Sequence, residues 1–243
     1  MRKPCLLACL AALFAFALPS APREARAQTS LWTVPTAETL PEGETYLEFD
    51  FDAHPTSYEK GGFQSYGVFL VRGVGKNVEV GANVYFLKDG DGESEPVEFQ
   101  SDIKWRFYNN EEKGVQAAVG GILFAPAGRR GRGDTVGMLY ASATKTVEGM
   151  NGAQLTGGGY GLVGRNGDGG SRAGALLGFV QPVTRKLSFQ ADWNSGRNRF
   201  GYGAAGFGLD VSKKSSLYSA YYFGNEGRAN NFFGVYYGLS FGP

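Results

Sequence analysis

Charged side chains recur at alternate positions in several stretches of the chain, and the chemistry open to the protein is concentrated there. Glu48, Asp50 and Asp52 alternate with Leu47, Phe49 and Phe51; Glu98, Asp102, Lys104 and Arg106 alternate with Phe99, Ser101, Ile103, Trp105 and Phe107. Glu79 lies between Val78 and Val80, and Asp192 between Ala191 and Trp193. An extended strand places successive side chains on opposite faces, so each run has one charged and one apolar face. If the charged faces share one enclosed lumen, its acidic members oppose Lys104 and Arg106, joined by Arg72, Lys145 and Arg172. Opposed acidic and basic walls create a transverse field that orients polar solutes at a constriction. The same charges, paired with one another, would fill and close a narrow lumen instead.

Other constellations carry less. His54 is the only histidine and precedes Pro55 at the end of a strand pattern, with no serine motif beside it, so no catalytic residues are assigned. Gly159–Gly164 matches the dinucleotide fingerprint in letters, but no helix pattern follows it. Its glycines fit strand curvature or lumen space better. Asp89, Asp91, Glu93 and Glu95 form an acidic loop in which Ser94 and Gln100 break the register of a calcium loop. Arg129, Arg130 and Arg132 form a basic loop that either clamps lipopolysaccharide phosphates or repels edge contacts. With one histidine and no mature cysteine, no metal site and no cofactor are expected.

These residues need strands to position them, and the composition supplies little else. The chain has 243 residues, 38 of them Gly, with 18 Phe, 13 Tyr and only 19% charged residues. Such a glycine content weakens helices throughout, while the aromatics argue against a disordered chain. Turn signals divide the chain into about twelve strands: 45–53, 63–72, 78–87, 97–108, 114–124, 135–147, 153–163, 172–181, 187–195, 199–210, 216–224 and 231–241. Connectors alternate between tight polar turns and longer loops rich in glycine or charge. Strands this long, ends rich in aromatics, and short turns opposite long loops together predict an all-β fold, a transmembrane up-and-down antiparallel β-barrel. A secreted β-sandwich is the competing architecture.

Residues 1–27 read as a cleaved signal peptide: Arg2 and Lys3, then a 14-residue apolar run from Cys5 to Leu18, then Ala25-Arg26-Ala27. Cleavage before Gln28 removes both cysteines, so the mature chain has no disulfide. It also lowers Lys+Arg from 24 to 20 and Asp+Glu from 23 to 22, a net charge of −2 that gives no sign of nucleic-acid binding. Residues 28–44 form a lead-in segment that either plugs the lumen or hangs in the periplasm, and 45–243 form the barrel.

Two motifs carry resemblances. Phe233, Val235, Tyr237, Leu239 and Phe241 alternate with smaller or polar partners, and this end resembles the C-terminal insertion signal of Gram-negative outer-membrane proteins. Tyr237, Leu239 and Phe241 would be its recognition positions, although Gly242-Pro243 follows where that pattern ends on the aromatic. Leu31-Trp32-Thr33-Val34-Pro35-Thr36-Ala37, with Pro41-Glu42-Gly43, resembles the Pro-Thr-Ala lead-in of YjbH-type exopolysaccharide-associated barrels. The alternative is a proline-punctuated approach to strand one. The resemblances imply a bacterial outer-membrane protein exported through the periplasm. Its partners would be the lipid bilayer, lipopolysaccharide, the barrel assembly machinery and a small polar solute. Its role would be a pore or transporter, or a non-conducting anchor in envelope or exopolysaccharide assembly.

Overall fold

A computed structural model of the chain describes residues 29–89, 97–127, 134–164, 170–227 and 231–242. The leader at 1–27, the acidic positions Asp91, Glu93 and Glu95, and the Arg129, Arg130 and Arg132 cluster lie outside the described residues. Twelve strands follow one another: β1 Thr45–His54, β2 Phe63–Gly75, β3 Val78–Lys88, β4 Val97–Asn110, β5 Val115–Pro126 and β6 Val136–Val147. The second half holds β7 Ala153–Gly164, β8 Ala173–Pro182, β9 Leu187–Asn194, β10 Tyr202–Asp210, β11 Ser215–Gly224 and β12 Phe232–Phe241. Each strand is antiparallel to the next, and β12 pairs with β1 from Thr45↔Phe241 to Ala53↔Phe233. The sheet is therefore a closed barrel. Hydrocarbon offers no hydrogen bonds to an open edge, so closure is the condition for crossing it with strands.

The outer surface is apolar where a soluble protein would be polar. Ile103, Trp105, Leu139, Leu177, Phe207 and Tyr221 are each more than half exposed, and Phe49, Leu70, Trp193, Tyr237 and Phe241 lie on the same face. A sandwich would have packed one apolar face on a second sheet, whereas here apolar side chains are turned outward around the barrel. Turns of two to five residues join the strands at the end where β1 begins and β12 finishes, and the connections at the other end span seven to nine. By the usual arrangement of such barrels the short-turn end is periplasmic.

Register departs from simple alternation at two places. A bulge between Arg106 and Tyr108 pairs Arg106 with Ala118 but Tyr108 with Ala117. Alternation alone puts Tyr108 inside with Arg106; the extra residue turns it outward, where it is exposed. A second irregularity falls between Gly73 and Gly75. There a side chain on Gly73 would run into the carbonyl of Pro41, so the glycine admits the lead-in segment against the wall. Arg72 and Lys145, expected inside, are outward at the periplasmic margin. Arg72 shares a face with Leu70 and donates to Thr45 Oγ1, and Lys145 reaches the carbonyl of Lys113.

Inward glycines sit directly opposite inward tyrosines, as in Gly67↔Tyr85, Gly120↔Tyr140, Gly174↔Tyr160 and Gly208↔Tyr218. In each pair a Cβ on the glycine would lie within 3 Å of the tyrosine ring. The rings thus lie flat along the wall, which leaves the centre of the lumen for other contents.

Replacing Ile103 with Arg puts a charge on the lipid face and should lower bilayer stability by about 2–4 kcal/mol if the site is near the midplane. Urea unfolding of the variant in liposomes checks this. Wild-type stability together with solubility in the absence of detergent would remove the membrane assignment.

Candidate functional site in the lumen

The lead-in segment lies inside the barrel. Leu31 N donates to Val34 O at 2.8 Å and Thr36 N to Thr29 O at 3.2 Å, making a tight turn with Trp32 and Thr33 at its tip. Residues 34–40 are buried without interruption before the chain leaves at Gly43, whose N–H donates to Gly73 O. This backbone has few partners of its own and takes them from the wall. Asp192 Oδ2 accepts from Thr33 N at 2.6 Å and Val34 N at 2.9 Å, and Asn194 Nδ2 donates to Thr33 O. Thr144 Oγ1 accepts from Ala37 N, and Glu79 Oε2 from Leu40 N at 2.8 Å. Lys104 Nζ pairs with Glu79 Oε1 at 2.9 Å and donates to the carbonyls of Glu38 and Thr29.

Apolar contacts complete the docking. Leu31 and Val34 enter a cluster with Phe124, Met138, Leu162 and Leu176. Gly178 makes room for them, since a Cβ there would lie 2.5 Å from Leu31 Cδ1. Alternation alone gives no reason for Leu162 and Leu176 to point into a lumen expected to be polar. Leu31 and Val34 are that reason. On the other side Trp32 packs against Tyr218 and Tyr236, with ring centroids at 6.0 and 5.8 Å.

Between the turn and the long loops lies a cavity of about 340 Å³. Glu48, Asp50 and Asp52 of β1 line one side, each accepting from a tyrosine hydroxyl: Tyr46 at 2.5 Å, Tyr85 at 2.6 Å and Tyr236 at 2.6 Å. Asp102 also faces it. At the outer end, Arg199 of the β9–β10 loop reaches Glu98 of β4 at 2.6 Å and lies over the rings of Phe124 and Phe200. Phe200 packs on Phe124 at 4.6 Å, so this loop folds across the mouth.

The opposed basic wall expected from alternation is not formed. Lys104 is consumed by Glu79 and the segment, and Arg106 bonds Asn77 and Gln116 toward the periplasmic end. Arg172 caps the carbonyls of Leu162 and Gly164 at the rim. Asp192 and Glu79 lie beneath the segment and hold it, while Glu98 stands at the mouth. His54 contacts the carbonyl of Asn231 and stacks on Phe63. Strand alternation put Asn83, Tyr85 and Asn194 on polar faces but gave them no role in the site, and it did not single out Arg199; an inward tyrosine opposite an inward glycine was a readable signal for the tyrosines.

Glu38 belongs to the docked segment rather than to a strand. Burial pushes its carboxyl up to about 7, against the opposing effects of the Gln154 hydrogen bond and the charges of Lys104 and Arg106, with Glu79 adding to the rise. The docked segment therefore binds a proton more tightly than the free one. Docking is strongest below about pH 4.5 and weakens by up to about 3 kcal/mol as pH rises through 7. Hydrogen exchange of residues 34–40 should accelerate between pH 5 and pH 8 beyond the intrinsic rate change, and Glu38→Gln should flatten that excess. An unchanged profile in the variant would assign the effect to another group.

No protein-family model matches the sequence, and no curated protein does. Solved structures match the fold. A KdgM porin superposes with a TM-score of 0.58 at 7% identity, covering 81% of this chain and 99% of that one. A KdgM porin in complex with disordered oligogalacturonate gives 0.59 at 8% identity, covering 81% and 99%. An outer membrane channel from Pseudomonas putida F1 gives 0.52 at 13%, covering 84% and 98%. The chain has the twelve-stranded barrel fold of outer-membrane proteins of the porin type.

Proposed function

We propose that the protein is an outer-membrane channel for small polar solutes whose periplasmic half is closed by its own residues 29–40 in the docked state. The observation that carries this reading is the division of the lumen. A polar cavity opens toward the long loops, and its floor is a chain segment held by replaceable hydrogen bonds and apolar contacts. Water can take over each of those bonds when the segment leaves, because the wall groups beneath it are charged or hydroxylated. The acidic side of the cavity favours cations over anions.

The alternative is a non-conducting barrel that anchors an envelope or exopolysaccharide assembly. The buried Lys104–Glu79 pair favours it, since a dry, satisfied network is how a closed barrel tolerates charge. Export through the periplasm, delivery by the barrel assembly machinery and contact with lipopolysaccharide complete the proposal. In it, Tyr237, Leu239 and Phe241 face lipid on the closing strand and serve as the insertion signal.

Planar-bilayer recording separates the two readings. The mature wild-type barrel should be mostly closed, and removal of residues 29–40 should give steady, cation-preferring conductance. A deleted barrel that folds yet stays silent would establish the anchor instead. Insertion is checked in cells: Phe241→Ala should lower the outer-membrane level of the protein several-fold, whereas loss of Gly242 and Pro243 should be tolerated. Normal levels of Phe241→Ala would remove the signal assignment.

A further inference from the structure

The β1 wall of the cavity has a periodicity that selects a ligand. Glu48, Asp50 and Asp52 occupy alternate positions of one strand, so their backbone positions step along the barrel at about 6.7 Å intervals. The carboxyl groups of Glu48 and Asp50 lean within hydrogen-bonding reach of each other, while that of Asp52 is turned to Tyr236. Among the described residues none of the three forms an ion pair: Lys104 is held by Glu79 and Arg199 by Glu98. Each accepts from a tyrosine hydroxyl, which leaves acceptor capacity open, and no donor group reaches Asp50 Oδ1.

Two further side chains, outside this row, point to the same kind of ligand. Asn83 and Asn194 line the cavity, are 6% and 2% exposed, and each has an amide oxygen without a hydrogen-bond partner. Of the unpartnered buried atoms on this wall, three are acceptors, and one, Trp32 Nε1, is a donor. A buried acceptor left unsatisfied is costly, so the cavity is complementary to a molecule that mainly donates. Asp52 is set apart along the strand from the Glu48–Asp50 pair, and no group of acidic residues among those described is placed to hold a metal ion. Aromatic rings supply the remaining surface, with Tyr222 stacked on Phe232 at 4.2 Å and Trp32 at the floor. Such faces suit methylenes and the flanks of an ammonium group.

We infer that the cavity binds a linear polyamine, with one ammonium group seated on the Glu48–Asp50 pair, the next on Asp52, and the intervening methylenes against the rings. The step along β1 from Asp50 to Asp52 is about that between two ammonium groups on a four-carbon chain. This assignment rests on reading the cavity as the solute vestibule of the channel. Binding itself, however, does not need conduction.

The test is calorimetric titration of the refolded mature protein in detergent, using diaminopropane, diaminobutane, diaminohexane, butylamine and glucose as probes. Diaminobutane should bind at least tenfold more tightly than butylamine and better than either of the other diamines, and glucose should give no heat. Asp50→Asn with Asp52→Asn keeps acceptors for Tyr85 and Tyr236 and should lower diaminobutane affinity at least tenfold. If that variant does not fold, the chain-length series on the wild type decides alone. Equal binding of mono- and diamines, indifference to chain length, an undiminished affinity in the folded double variant, or heat from glucose with silent diamines would overturn the assignment. Diamine binding by a barrel that never conducts would sink the channel and leave the site. Conduction without diamine binding would do the reverse.

Discussion

Three charged side chains, Glu79, Lys104 and Asp192, point into a barrel where little water reaches them, and the segment from Thr29 to Leu40 enters the same space with few backbone partners of its own. Neither would be tolerable alone. A buried charge without partners is costly, and so is a buried amide or carbonyl. Together they cancel: Asp192 takes the N–H groups of Thr33 and Val34, Glu79 takes that of Leu40, and Lys104 takes the carbonyls of Thr29 and Glu38 while neutralising Glu79. The rest of the interior follows from this exchange, including the inward Leu162 and Leu176, the glycines at 73 and 178, and the position of the cavity beyond the turn.

The barrel itself was legible because its rule is simple and applies everywhere. Period-2 alternation, long strands and an even strand count require only that each residue choose between lipid and lumen, and the twelve strands fall within a few residues of their expected limits. The rule failed where a strand departs from period two, as at the bulge that turns Tyr108 outward. It failed again where polarity no longer tells the side, as for Arg72 and Lys145, which reach from the outer face to polar groups at the periplasmic margin.

The site was much less legible. The inward carboxylates of β1 are plain in the alternation, but the fate of the lead-in segment depends on bonds such as Thr33 to Asp192, across 159 residues of sequence. Nothing local distinguishes a wall aspartate that will hold a backbone from one that will face water. The same ambiguity hid the use of Lys104: alternation put it inside, but only the arrival of Glu38 and Thr29 makes it part of a floor rather than of a basic wall.

The two bonding systems of the molecule are largely independent, and this makes a movable floor physically reasonable. The barrel is held by ladders that run from strand to strand around a closed circuit, and none of them passes through residues 29–40. The segment is held by hydrogen bonds worth about 0.5–1.5 kcal/mol net each, together with the burial of a few apolar side chains. Against these stands the ordering of its backbone, at about 1–2 kcal/mol per residue. Docking is thus a small difference between comparable quantities, while closure of the sheet is not. Loss of the segment would wet Glu79, Lys104 and Asp192, groups that water solvates well, and would newly expose apolar wall side chains that Leu31 and Val34 cover, Met138, Leu162 and Leu176 among them. A wall whose polar groups are at ease in either state is one that can let its floor go without coming apart.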